Sequence, residues 1–118
     1  MQRCMLRAKI HGATVTQTEL TYQGSLTIDE DIMHKADIRP YEQIQVSNLM
    51  NGERFETYAI PGKKGQIILN GPTARKGEPG DKIMIFAYCW MTDDEIESYH
   101  PKIFLMDENN EVKKTGSL

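Results

Sequence analysis

The sequence predicts a mainly β single domain that closes as a β-barrel, and three observations predict it. Short segments rich in β-branched residues alternate apolar and polar types. Glycine, proline and asparagine mark the turns between them. The most apolar run, residues 82–90, is short enough to be one strand buried at the centre of a sheet. At 118 residues the chain has material for one core, and neither an internal repeat nor a low-complexity stretch divides it.

Residues 5–16 mix apolar and polar types with a rough period of two, which reads as a first strand with a bulge or bend at Gly12. A second strand over 19–22 leads into Gly24-Ser25, and the chain leaves extended through Leu26-Thr27-Ile28. Residues 29–36 read as a short helix, because Asp29, Glu30 and Asp31 sit where the positive end of a helix dipole favours acids. Pro40 is expected to end it. Ile44-Gln45-Val46 alternates as a strand, Asn51-Gly52 supplies a tight hairpin turn, and 54–60 alternates again on the way back. A regular strand there puts Phe55 on the core face and Tyr58 beside Arg54 and Glu56 on the other. Residues 61–65 read as a loop, 66–69 as a strand, Asn70-Gly71-Pro72 as a turn and 73–76 as one helical turn. After the turn-rich 77–81 comes the 82–90 strand. Thr92 is an N-cap candidate for a short acidic helix. Residues 103–106 read as the last strand, and 107–118 as a polar tail with a frayed end.

The formal charge of -3 provides no basic field, so neither nucleic acid nor an anionic membrane surface is an expected partner. No apolar run reaches the ~18 residues of a membrane span, and no apolar block follows Arg3, Arg7 and Lys9 as it would in a secretory signal. A cytoplasmic protein is the expectation. Cys4 and Cys89 lie far apart in no zinc-like spacing and read as buried or free thiols. His11, His34 and His100 are scattered, so no metal site is expected.

Chemistry is legible at Tyr22-Gln23-Gly24-Ser25-Leu26. The Ser25 hydroxyl lies one residue from the Gly24 carbonyl carbon, so a strained peptide there can be attacked by its own neighbour and become an ester. Gly24 has no Cβ to block the approach and tolerates unusual dihedrals. Such an ester can eliminate to a dehydroalanine end, whose hydrolysis leaves a ketone: a pyruvoyl group on the new N-terminus. An isolated Gly-Ser pair is equally an ordinary turn dipeptide.

The pair keeps company with other motifs. These are Met5-Leu6-Arg7-Ala8-Lys9-Ile10-His11, Leu20-Thr21-Tyr22-Gln23-Gly24-Ser25, Asn51-Gly52-Glu53-Arg54-Phe55-Glu56-Thr57-Tyr58-Ala59-Ile60, Asn70-Gly71-Pro72-Thr73-Ala74 and Gly80-Asp81-Lys82-Ile83-Met84-Ile85. In this order and over nearly the whole chain, they resemble the aspartate 1-decarboxylase family, small pyruvoyl enzymes that make β-alanine. The resemblance implies a six-stranded double-psi β-barrel with short helices. It also implies a single domain, residues 1–118, synthesised as a zymogen that cuts itself into a β chain (1–24) and an α chain (25–118).

The implied activity is that of a lyase. It removes the α-carboxylate of L-aspartate to give β-alanine and carbon dioxide for pantothenate and coenzyme A synthesis. The pyruvoyl group formed from Ser25 would hold the substrate amine as a Schiff base and accept the electrons left at Cα. Neither a metal nor pyridoxal phosphate is implied. By position, Tyr58 matches the family's proton donor, and Gly24, Ser25, Thr57, His11 and Tyr22 match positions tied to self-cleavage. Thr57 is the hydroxyl that could hold the Gly24 carbonyl for attack. Lys9, Arg54, Thr57, Asn70, Gly71, Pro72 and Thr73 match the substrate site, where the planar fork of Arg54 suits a carboxylate.

Two positions depart from the family pattern. Pro72 has no amide hydrogen to offer, a loss Thr73 could partly offset, and Ser47 stands where some relatives carry tryptophan. Relatives are homotetramers with sites at subunit boundaries, and some rely on a maturation factor. A second reading stays open at this point: an unprocessed, inactive barrel of the same fold serving as a binding or assembly module.

Overall fold

The structure, a computed structural model, describes residues 1–116. It is mainly β with short helices. The strands are β1 (Gln2–Thr14), β2 (Gln17–Glu19), β3 (Ser25–Asp29), β4 (Gln43–Asn48), β5 (Arg54–Gly62), β6 (Ile67–Asn70), β7 (Lys82–Thr92), β8 (Lys102–Met106) and β9 (Val112–Gly116). Helix α1 (Glu30–Ala36) follows β3, α2 (Asp93–Glu97) follows β7, and a 3-10 helix, Gly71–Lys76, follows β6.

The nine strands form one sheet in the order β2-β6-β3-β5-β4-β7-β1-β8-β9. Among the described residues there are thus nine strands, against the six expected of the barrel. The hydrogen-bonded order also ends at β2 and β9 instead of closing. Residues of β9, polar and mostly exposed, pair antiparallel with β8, so the expected tail is a hairpin strand as far as Gly116. The expected fraying of the extreme end, 117–118, lies outside the described residues.

Other boundaries differ from expectation for physical reasons. β1 starts at Gln2 because its first residues pair with the far end of β7, Gln2 opposite Thr92 and Leu6 opposite Tyr88. Gly12 is a bulge as expected: its φ is 82°, and the register to β7 shifts between His11 and Ala13. The strand expected over 19–22 is instead Gln17–Glu19, since Leu20 to Tyr22 turn toward Gly24. Pro61 and Gly62, expected in a loop, continue β5 in parallel pairing with Ile28 and Asp29. Helix α1 ends before Pro40 acts. Asp37 takes a left-handed φ of 54°, and the amides of Asp37 and Ile38 close onto the carbonyls of His34 and Met33.

The N-cap read from sequence holds at Thr92, while at α1 Asp29, expected as a first-turn acid, is itself the cap. Asp29 accepts from the Asp31 amide at 2.8 Å. Thr92 and Glu95 form a capping box, and the Thr92 hydrogen bonds hold the Glu95 carboxyl below its ordinary range. That contribution is complete above the usual carboxylate range and is lost as pH falls through the lowered value.

The core gathers inward residues of most strands: Ile10, Leu26, Ile28, Ile44, Val46, Ile67, Leu69, Ile83 and Ile85 are all fully buried. Burial along the first part of β5 alternates with period two, with Phe55 packed on the core and Arg54, Glu56 and Tyr58 outward. Strand β5 joins the two halves of the architecture. Its first half pairs antiparallel with β4 and its second half pairs parallel with β3.

A buried asparagine fastens the C-terminal hairpin. Asn110, at φ 58°, donates to the carbonyls of Thr14 and Gly65 at 2.9 Å each and accepts from the Thr14 amide at 2.7 Å. Asn110→Ala should destabilise the fold by ~3 kcal/mol, the sum of the lost hydrogen bonds and of a left-handed residue that asparagine tolerates better. A urea midpoint within error of the parent's would refute the clasp.

Candidate active site

The site is built where β3 begins. Turn residues 20–23 deliver the chain to Gly24, whose amide donates back to the Tyr22 carbonyl at 2.9 Å. Gly24 has φ 60°. Ser25 has φ 123°, a conformation a residue with a Cβ rarely adopts. Ser25 is 0% exposed, so the strain sits inside the protein, held by its surroundings.

Those surroundings come from β6 and the 3-10 helix after it. Antiparallel pairing of β3 with β6 sets Asn70 directly opposite Ser25. The Asn70 side-chain amide donates to Ser25 Oγ at 3.0 Å and to Thr27 Oγ1 at 2.8 Å. Gly71, at φ 64°, turns the chain under the Gly24 peptide. A Cβ there would stand 2.3 Å from the Gly24 nitrogen and 2.6 Å from the Tyr22 carbonyl oxygen. Pro72 is exposed in the first turn of the 3-10 helix, where a missing amide hydrogen costs nothing. Buried Thr73 donates to the Asn70 carbonyl at 2.8 Å, and its hydroxyl is 3.5 Å from the Ser25 carbonyl oxygen.

On the other side stands Tyr58 of β5. Its hydroxyl donates toward the carbonyls of Gln23 (3.0 Å) and Gly24 (3.2 Å). The hydroxyl on the Gly24 carbonyl is therefore that of Tyr58. Thr57, one residue earlier, points to the opposite face of β5 and is half-buried opposite Ile44.

A second cluster lies across the exposed face of β1, β7, β4 and β5, where Lys9, Phe86, Gln45 and Glu56 are successive cross-strand neighbours. Both candidate cations share one aromatic ring: Lys9 Nζ is 5.9 Å from the Phe86 ring centroid, and the Arg54 guanidinium carbon is 5.2 Å from it. Arg54 donates to Ser47 Oγ at 2.8 Å and to Gln45 Oε1 at 2.6 Å, and Tyr88 donates to the same Gln45 oxygen at 3.0 Å. Glu56 in turn accepts from the side-chain amides of Gln43 and Gln45. The serine at position 47 thus acts as an acceptor for the guanidinium.

Within one chain, then, Tyr22, Gly24, Ser25, Tyr58, Asn70, Gly71 and Thr73 come together, while Lys9 and Arg54 gather around Phe86. Arg54 is four residues from Tyr58 along the same strand and on the same face, roughly 13 Å away at strand rise. His11 shares a face of β1 with Lys9, and the two line a separate groove with Ile103, Leu105 and Lys114. Sequence reasoning missed Thr27, Gln45, Phe86 and Tyr88. Thr27 carried a usable signal, a polar residue between Leu26 and Ile28 in an otherwise inward-facing run. The other three lie on strands whose faces meet only through register.

Among the described residues, no three of His, Cys, Asp and Glu come together as a metal site would require. No helix among them is long and apolar enough to cross a membrane. Cys4 and Cys89 are free thiols, and burial pushes the Cys89 thiol above its ordinary pKa, so it stays protonated at neutral pH.

Fold and site together define a mainly β protein with a strained, buried serine at its centre and a pair of cations over one aromatic ring. The aspartate decarboxylase family model matches residues 1–113. Among curated proteins, the chain is 52% identical over 116 residues to the aspartate 1-decarboxylase of Ralstonia nicotianae, covering 97% of each chain. It is 48% identical over 120 residues to that of Salinibacter ruber, covering all of this chain and 82% of the other. It is 51% identical over 112 residues to that of Thermoanaerobacter pseudethanolicus, covering 93% of this chain and 96% of the other. The chain belongs to the aspartate decarboxylase family and is an enzyme of that family.

Proposed function

We propose that this chain decarboxylates L-aspartate to β-alanine and carbon dioxide after cutting its own backbone between Gly24 and Ser25. The observation that carries the reading is the strained peptide at that bond, with a hydrogen-bond partner on each reacting group: Asn70 on Ser25 Oγ and Tyr58 on the Gly24 carbonyl. In the cut, Ser25 Oγ adds to the Gly24 carbonyl carbon and the peptide C–N bond breaks. The hydroxyl proton ends on the departing Ser25 nitrogen, leaving Gly24 esterified to Ser25 Oγ. Tyr58 is placed to stabilise the charge that develops on the carbonyl oxygen. Loss of the Ser25 α-proton then expels the Gly24 carboxylate, and water replaces the nitrogen as ammonia, leaving pyruvoyl at the head of 25–118.

The ketone oxygen comes from that water and sits on Cα in place of the Ser25 nitrogen, while Ser25 Oγ leaves with Gly24 and frees the Asn70 amide hydrogen it had accepted. That ketone supplies the electron sink for decarboxylation. Arg54 and Lys9 bind the substrate's carboxylates, with the Arg54 fork held by Gln45 and Ser47. Tyr58 returns a proton to Cα. His11 and Tyr22 are assigned to maturation, and Asn70, Gly71, Pro72 and Thr73 to the substrate-side wall; Thr57, which within one chain faces away from Gly24, keeps its place in maturation and substrate contact by the family resemblance alone.

The wider setting follows the family resemblance: a cytoplasmic enzyme of pantothenate synthesis, assembled as a homotetramer, with a maturation factor as a further partner. Exposure in the single chain of Trp90 (66%) and Tyr58 (36%) supports assembly around this face. The double-psi barrel is proposed for the core. Parallel pairings of β1 with β8, β2 with β6 and β3 with β5 support a crossed path over a simple meander.

The intact mass of the purified protein under denaturing conditions tests the reading. Two fragments divided after Gly24 are expected, the larger lighter by one ammonia than plain hydrolysis gives. A single full-length mass from protein with no decarboxylase activity would favour an unprocessed binding module. Tyr58→Phe should lower turnover per cleaved chain about a hundredfold or more. Carbon dioxide release normalised to the cleaved fraction measures this, and parent-like turnover would remove Tyr58 from the proton transfer.

A further inference from the structure

We propose that Thr27 is a positioning residue for self-cleavage, aiming the Asn70 side chain at Ser25 Oγ, and that Gly62 lacks a side chain so that Thr27 can do so. The proposal rests on the reading of Gly24–Ser25 as a self-cleaving bond.

Ser25 and Thr27 are two residues apart on β3, so both side chains leave the same face toward β6. One nitrogen, Asn70 Nδ2, donates to both hydroxyl oxygens, at 3.0 Å to Ser25 and 2.8 Å to Thr27. A carboxamide nitrogen has two hydrogens, and each here has its own acceptor. The shorter of the two bonds goes to Thr27. It fixes the rotation of the amide plane, a torsion that is soft when nothing holds it. Thr27 is 7% exposed, so water does not readily replace it as the anchor.

The Thr27 hydroxyl is itself aimed by packing. Its methyl group occupies the space beside Gly62 on β5, where a Cβ on residue 62 would come 2.4 Å from Thr27 Cγ2. With the methyl seated there and β-branching stiffening χ1, Oγ1 faces Asn70. Gln66 closes the other side: its Oε1 would stand 3.1 Å from the same Cβ. The path of cause runs from the bare backbone at Gly62, through the Thr27 rotamer and the Asn70 amide, to the lone pair of Ser25 left free for attack on Gly24.

Freshly purified parent, Thr27→Val, Thr27→Ser and Gly62→Ala chains are followed by intact mass over time, with thermal melting as the check on folding. Valine keeps the shape and removes the acceptor. Serine keeps the acceptor and removes the methyl. A positioning role predicts cleavage about five- to tenfold slower for Thr27→Val, the loss of one hydrogen bond's worth of orientation. Thr27→Ser should stay within about twofold of the parent and Gly62→Ala should be slowed alongside valine, on the same scale. A packing role predicts the reverse order of valine and serine, and that result would overturn the proposal, as would a valine chain that keeps pace with the parent. Should Thr27→Val fail to melt cooperatively, Thr27→Ala serves as the hydroxyl-free chain under the same criterion. If the parent chain itself stays whole, self-cleavage falls and the Thr27 role with it. If the parent is cut and the valine chain matches it, only the Thr27 role falls.

Discussion

Ser25→Ala is expected to leave one uncut chain of 118 residues with no decarboxylase activity. The substitution removes the attacking oxygen and, with it, the leaving group whose expulsion makes the dehydroalanine end, so no slower route through the same chemistry remains. The fold should survive. Ser25 sits in a strand whose pairing to Asn70 is made by backbone, and alanine fills the site but for one hydroxyl. Asn70 loses an acceptor in a buried place, which costs ~1–3 kcal/mol and lowers the melting temperature without abolishing cooperative unfolding. Intact mass and carbon dioxide release from labelled aspartate give the two readings. Fragments divided after Gly24 in the alanine chain would show that another group performs the cut, and the assignment of Ser25 would be withdrawn.

Gly71→Ala should be nearly as damaging, through geometry alone. Its new methyl group would lie 2.3 Å from the Gly24 nitrogen, 2.6 Å from the Tyr22 carbonyl oxygen and 2.7 Å from the Gly24 Cα. All three are backbone atoms, so no side chain can swing aside. Relief requires the scissile turn or the 3-10 helix to move. Gly71 also has φ 64°, which adds the ~1–2 kcal/mol an L-residue loses in the left-handed region. Together with overpacking, a destabilisation of ~2–5 kcal/mol is expected. The larger effect falls on cleavage. A shift of about 1 Å in the Gly24 carbonyl spoils its alignment with Ser25 Oγ and Tyr58, and misplacement of that size costs on the order of a hundredfold in rate. Urea denaturation and a cleavage time course measure the two effects separately. Parent-like values in both would mean that residue 71 does not press on the scissile turn.

The parts of the fold that are legible in sequence are those with local causes. The hairpin at Asn51-Gly52, the alternation along β5, the acids at the start of α1, the cap of α2 and the bulge at Gly12 each arise from residues within a few positions of one another. β9 is not legible, because Val112–Gly116 becomes a strand only when β8 offers its edge. Pro61 and Gly62 resemble a loop for the same reason. Their turn chemistry is genuine, but β3 overrides it by pairing alongside. Local pattern therefore undercounts the strands, and it gives no hint of the open order of the sheet.

In the site, adjacency along the chain makes Gly24 and Ser25 visible as a reactive pair, since covalent geometry guarantees that the hydroxyl neighbours the carbonyl. Their helpers could be named only through family resemblance, because Asn70 is 45 residues away from Ser25 and Tyr58 is 34 away from Gly24. Thr57 and Tyr58 illustrate the limit. Sequence places a hydroxyl at both positions, and the period of the strand separates them. The position of β3 relative to β5 then decides that Tyr58 meets the Gly24 carbonyl.

By itself the sequence determined the hairpin turn at 51–52, the alternation along β5, the start of α2, the bulge at Gly12 and the bond proposed for self-cleavage. Each of these depends on neighbours along the backbone. Tertiary structure alone decided the strained φ of 123° at Ser25, the hydrogen bonds from Asn70 to Ser25 and Thr27, and the packing of the Thr27 methyl against the bare backbone of Gly62. The physical reason is that β pairing is non-local. A register between distant strands chooses which side chains meet, and a one-residue slip would send every one of them to the opposite face.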